Sequence, residues 1–163
     1  MIPDLIKLSR APWKVLPEGI HQATLAEVKM RFANNPKRRQ LYWGFVTALN
    51  ALKAAGVKDI YLDGSFVTDK PIPGDFDVCW DPSGVDPTLL DPVFLDFQNK
   101  RAKQKAKFNG EFFLYNSDAM LGGPSFLEFF QNEKNSGLRK GIVLIDISAE
   151  SLGLPLAQQR VTQ

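Results

Sequence analysis

The chain has 163 residues, a formal net charge of +2 and 44% hydrophobic residues, the proportions of one domain with a real core. No run of about 18 apolar residues occurs, which excludes a membrane-spanning helix, and the first 19 residues lack the continuous apolar stretch of a secretory signal. Cys79 is the only cysteine, so no internal disulfide forms and a cytoplasmic location is expected.

Residues 1–19 are punctuated by Pro3, Pro12 and Pro17 and are predicted to be irregular. Thr24 followed by Glu27 is a capping-box pattern, and Leu25, Val28 and Phe32 form the apolar stripe of a short helix. Asn35-Pro36 reads as the N-cap and first turn of a longer helix. Its Leu41, Phe45, Ala48, Leu49 and Leu52 recur every three or four residues until Gly56 stops it. A strand, KDIYLD, comes next and turns at Gly64; a second, DFDVCW, alternates polar and apolar residues, the period of a strand with one face in the core. Asp-Pro pairs at 81, 86 and 91 mark turns and the start of a helix predicted from about Pro92 to Lys107. NGEFFLYN reads as a hairpin arm, PSFLEFFQNE as a short helix begun by Pro124, and GIVLIDIS as a strand buried on both faces. A polar tail over 149–163 is expected to lose order beyond about Leu156. The whole, residues 1–163, predicts one α/β (α+β) domain: a small mixed sheet flanked by helices.

Charge is unevenly placed. Residues 29–39 hold five basic groups and no acid, as do residues 98–107. Such runs are either solvated faces or polyanion-binding surfaces. Lys100, Lys103 and Lys107 would share a helical face and could meet a triphosphate or an RNA acceptor.

The chemistry concentrates in YLDGSFVTDKPIPGDFDVCW, residues 61–80. On a strand, residues i and i+2 face the same side about 6.6 Å apart, so Asp75 and Asp77 project together. Their mutual repulsion is relieved by a divalent cation, and paired oxygen ligands suit Mg2+ or Mn2+. Gly64-Ser65 directly succeeds a strand, where glycine allows close backbone approach and a turn aims N–H groups at phosphate; Lys70 lies in the same loop. Asp146 is a carboxylate in an otherwise apolar strand. It either joins the metal site or caps the segment after it. His21 is read as locally hydrogen-bonded, and Cys79 has no nearby base to make it a nucleophile.

LDGSFVTDKPIPGDFDV resembles the signature of the DNA polymerase beta-like nucleotidyltransferase superfamily: a hydrophobic strand, Gly-Ser, a spacer, then Asp-hydrophobic-Asp-hydrophobic. Gly64, Ser65, Asp75, Phe76, Asp77 and Val78 match it in order, and Asp146 matches the third acid. Most of the chain, from LPEGIHQATLAEV to GIVLIDI, also resembles an uncharacterised bacterial family placed in that superfamily. There are two departures from the pattern: Asp63 precedes Gly-Ser, and Phe66 and Val67 stand where an arginine is frequent.

The resemblance implies a nucleotidyltransferase-like fold. It also implies an Mg2+-dependent enzyme moving a nucleoside monophosphate from an NTP to a hydroxyl on RNA or protein, with pyrophosphate released. Asp75, Asp77 and Asp146 would be catalytic and hold two ions about 3.5–4 Å apart; Gly64, Ser65, Lys70, Lys103 and Lys107 would bind the nucleotide. Relatives of this kind include toxin–antitoxin components, so the resemblance also admits a partner protein. Two other readings stay open: a non-catalytic nucleotide- or RNA-binding regulator on the same fold, and a metal-dependent phosphohydrolase.

Overall fold

The strand alternation of DFDVCW defines the middle of a sheet. In the computed structural model, which describes residues 1–153, the strands are β1 (Gly19–Gln22), β2 (Asp59–Asp63), β3 (Phe76–Trp80), β4 (Gly110–Leu114) and β5 (Gly141–Asp146). They lie in the order β1-β5-β2-β3-β4. The central β2 runs antiparallel to both β3 and β5, whereas β1 is parallel to β5 and β4 is parallel to β3. Parallel neighbours cannot be joined by a tight hairpin. Residues 81–109 therefore cross over between β3 and β4.

Among the described residues, four helices complete this mixed α+β fold: α1 (Leu25–Phe32), α2 (Pro36–Ala54), α3 (Gln98–Phe108) and α4 (Phe126–Phe129). Thr24 and Glu27 cap α1 reciprocally, and the Asn35 side chain accepts from the Arg38 amide at the start of α2. Gly56, at φ +103°, takes a backbone conformation suited to glycine just past the end of α2. Leu41, Phe45, Leu49 and Leu52 of α2 are fully buried in one cluster with Ile60, Leu62, Phe76, Val78, Phe112, Val143 and Ile145. Alternate strand residues thus face the helices. The other face of the sheet carries Tyr61, Asp63, Asp77, Cys79, Glu111 and Phe113. Phe113 packs on Phe126 and Phe130 with ring centroids 4.7 and 4.9 Å apart, so the segment after β4 covers part of that face.

Several local expectations change. GIHQ, next to the proline-rich stretch, is the edge strand β1; with only four residues it shows no period to read. The expected hairpin arm is β4, paired in parallel with β3. The helix expected from Pro92 is instead a 3-10 turn at Pro92–Leu95 followed by α3, and α3 opens with Asn99, Lys100 and Arg101 in left-handed conformations. Ser125, not Pro124, caps α4. The expectation for the tail beyond Leu156 lies outside the described residues. Among the described residues, no helix is long and apolar enough to cross a membrane.

Candidate functional site

Strand register builds the site. Asp63 pairs with Asp77 across β2 and β3, and Asp77 pairs with Glu111 across β3 and β4. Register partners present their side chains to the same face, so these acids form a row across the sheet. Asp75, two residues before Asp77, joins them. Carboxylate oxygens of Asp75, Asp77 and Glu111 lie within 4.8 Å of one another, each residue partly exposed. Asp63 is 4% exposed at its side chain and is ion-paired with Lys140, itself 13% exposed.

The charges are in conflict. Burial pushes the Asp77 carboxyl well above the usual range, and the charges of Asp63, Asp75 and Glu111 push the same way; Lys140 opposes them. Asp75 is raised by burial and then by Glu111, with Lys105 and Lys70 pulling it back. Lys105 Nζ sits 3.0 Å from Glu111 Oε1, a contact that raises the lysine pKa. Such a cluster is relieved by a proton or by a cation.

The Gly64-Ser65 turn lies directly against this cluster. Gly64 has φ +92°, and a Cβ there would come within 3.0 Å of Asp77 Oδ2, so only glycine fits. A 3-10 turn, Ser65–Val67, comes next; its first bond runs from the Val67 amide to the Gly64 carbonyl, leaving the Ser65 and Phe66 amides unused by the turn. Arg38 holds the loop from inside. Buried at 3% exposure, it donates through Nη1 to the carbonyls of Phe32 and Phe66, and through Nη2 to those of Thr68 and Lys70. Lys70 is close enough for its charge to act on Asp75. Behind the loop, Arg31, Asn34, Asn35, Thr68 and Lys70 line part of a cavity of about 400 Å3.

From α3 the site receives Arg101 and Lys105. Left-handed backbone costs roughly 1–2 kcal/mol per non-glycine residue, and Asn99, Lys100 and Arg101 adopt it in succession. This turn lays the Arg101 guanidinium 3.9 Å from the Phe113 ring centroid and 4.7 Å from that of Phe97, with Nε donating to the Phe112 carbonyl at 3.0 Å. Burial pulls the guanidinium pKa down, while Glu111 and Asp77 pull it up.

Two groups of expected site residues are elsewhere. Lys103 pairs with Asp96 at 3.6 Å and Lys107 with Asp91 at 2.5 Å, so both turn to the loop before α3. Asp146 pairs in register with Asp59, at the opposite end of β2 from Asp63 and Asp77; four residues of strand, about 13 Å, separate the ends. Its carboxylate accepts from the Ser148 amide at 3.0 Å and the Ser148 hydroxyl at 2.5 Å. It is therefore a cap, and Glu111 takes the third place beside Asp75 and Asp77. Cys79 is 1% exposed and its thiol is pushed well up, chiefly by burial, which suits no nucleophile. His21 Nε2 lies 2.6 Å from the Pro17 carbonyl, a local hydrogen bond.

Sequence reasoning missed Glu111, Lys140, Arg101 and Lys105. A signal existed for Glu111: in GEFFL it is the polar residue of a strand-like run, as Asp77 is in FDVCW.

Residues 11–146 match a family of unknown function, DUF6932, and the chain belongs to it. Comparison with curated proteins and with solved structures gives no match to either.

Proposed function

We propose that this DUF6932 member is a metal-dependent nucleotidyltransferase, moving a nucleoside monophosphate from an NTP to a hydroxyl on RNA or protein. The observation that carries the reading is the convergence of Asp75, Asp77 and Glu111 oxygens within 4.8 Å, beside a Gly64-Ser65 turn that only glycine permits. Asp75, Asp77 and Glu111 would hold Mg2+ or Mn2+, oxygen-preferring cations whose charge offsets that of the phosphates and polarises the phosphoryl oxygen.

The chain's own residues supply positioning. The amide and hydroxyl of Ser65 offer donors to phosphate oxygens, and Arg38 keeps the loop in place through the carbonyls of Phe66, Thr68 and Lys70. Held by Asp75, Asp77 and Glu111, the cation would supply the positive charge that makes the acceptor's proton easier to remove. The acceptor oxygen bonds to the α-phosphorus, and the bond to the bridging oxygen breaks. Its electron pair leaves with pyrophosphate, and the acceptor proton passes to solvent. A cytoplasmic setting and a partner protein of the toxin–antitoxin kind belong to the same proposal.

The test uses the full chain, each α-labelled NTP, Mg2+ or Mn2+, and cell extract, with label sought on RNA and on protein. Transfer abolished by Asp77→Ala supports the reading. Metal-dependent nucleotide binding with no transfer favours a regulatory protein on the same fold, and release of free phosphate alone favours a hydrolase.

A further inference from the structure

We infer that Arg101, with Lys105 beside it, grips the two terminal phosphates of the triphosphate and meets the charge that builds on pyrophosphate as it leaves. The inference rests on the nucleotidyltransferase reading of the acid cluster and adds the residues that select a triphosphate over a monophosphate.

The guanidinium is fixed from behind and open in front. Its Nε is spent on the Phe112 carbonyl, and its plane is held near the Phe113 and Phe97 rings. Its Nη1 and Nη2 nitrogens have no hydrogen-bond partner among the described residues, and Arg101 forms no ion pair with Asp77 or Glu111 although their charges act on it. An arginine beside carboxylates ordinarily closes a fork on one of them. Here the fork is left for something else, and its paired N–H donors match two phosphate oxygens.

The backbone supports the assignment. Three successive left-handed residues, Asn99, Lys100 and Arg101, form a turn ahead of the right-handed part of α3. An unfavourable local conformation that delivers one side chain to a cluster of acids is a feature found at ligand sites. Lys105 occupies Glu111 at 3.0 Å. When Glu111 turns to a cation, that ammonium is freed next to the guanidinium, so two positive groups become available together.

The experiment titrates the full chain by calorimetry with Mn2+ alone, then, at saturating Mg2+, with inorganic tripolyphosphate, a non-hydrolysable NTP analogue and a nucleoside monophosphate. Arg101→Met is expected to weaken tripolyphosphate and the NTP analogue at least tenfold. Mn2+ and monophosphate affinities should stay within about twofold. Arg101→Lys, which keeps the charge without the fork, should fall between, and Lys105→Met should weaken triphosphate a further few-fold in the Arg101→Lys background. If Arg101→Met does not fold, Arg101→Lys and Lys105→Met carry the comparison. Unchanged triphosphate affinity in these variants overturns the inference while leaving the enzyme reading intact. Wild-type protein that binds neither Mn2+ nor any triphosphate overturns both.

Discussion

Gly64 lies against Asp77 so closely that an added Cβ would stand 3.0 Å from Asp77 Oδ2 and 3.2 Å from its amide nitrogen. Turn and carboxylate are therefore one unit, and the turn at the end of β2 positions the central acid on β3. Gly64→Ala is expected to destabilise the chain by roughly 1–3 kcal/mol, because its backbone region is essentially reserved for glycine. It should also displace the Asp77 carboxylate and weaken Mn2+ binding about tenfold or more. Urea denaturation and Mn2+ titration of the same preparation check both. Ser65→Ala, which adds nothing in that space, should leave stability within about 0.5 kcal/mol.

The crowding around Asp77 has a consequence for pH. Burial, then the charges of Asp63, Asp75 and Glu111, raise its pKa in the fold, so the folded chain holds a proton there that the unfolded chain has already lost. Its contribution to stability is fullest below the ordinary aspartate pKa of about 3.9 and is lost as pH rises through the folded pKa. Asp75, raised less, adds to the same slope. Divalent cations bind the ionised form, so their affinity should increase with pH across that window, with protons released on binding. Asp77→Asn is expected to flatten the metal-free stability profile above the ordinary aspartate pKa and to reduce the metal-linked proton release, Asp75 keeping its smaller share. A calorimetric titration of Mn2+ in buffers of different ionisation enthalpy measures that release directly. A profile as steep in Asp77→Asn as in the wild type would contradict this assignment.

The buried Asp63–Lys140 pair makes a separate demand. Lys140 holds down the electrostatic load on Asp77 as well as neutralising Asp63. Lys140→Met would leave a 4%-exposed carboxylate unpaired. Removing one partner of a buried pair costs about 3–5 kcal/mol. Asp63→Asn on top of it removes the stranded charge and should restore most of that loss. Chemical denaturation of the two variants gives the comparison; a double variant as unstable as the single one would show that Lys140 acts through something other than Asp63.

The two acids found by spacing, Asp75 and Asp77, are legible because strand periodicity is local: two residues apart is the same face whatever the rest of the chain does. The helices are legible for the same reason, since Thr24, Glu27, Asn35 and Pro36 act within one turn. Glu111 is not, because it reaches Asp77 only through a parallel pairing across the 81–109 crossover. The lysine face expected on α3 presumes a continuous right-handed helix. The left-handed turn at 99–101 takes Lys100 off that face; Lys103 and Lys107, in the right-handed part, still share one, but it meets Asp96 and Asp91, while Lys105 meets Glu111. Asp63 stands out in the sequence only as an irregularity before Gly-Ser, and its role emerges once Lys140, 77 residues away, is seen beside it.

Strand direction decides the last case. β5 neighbours β2, not the Asp75–Asp77 strand β3, and antiparallel pairing sets its C-terminal Asp146 opposite Asp59, at the far end from the site. A parallel β5 would have brought Asp146 near Asp63. The carboxylate is instead committed to the Ser148 amide and hydroxyl. Loss of such a cap costs about 0.5–2 kcal/mol and touches nothing at the other end of the sheet. Asp146→Ala should therefore lower stability by that amount while leaving Mn2+ affinity within about twofold. Glu111→Gln should do the reverse: it turns one of the three carboxylates proposed to hold the cation into a neutral amide and removes the charge partner of Lys105, and is expected to weaken Mn2+ at least tenfold while changing stability by less than about 1 kcal/mol, the usual limit for a partly exposed ion pair. Parallel Mn2+ titrations of the two variants separate these positions, and metal binding lost in Asp146→Ala but kept in Glu111→Gln would return the third acid to β5.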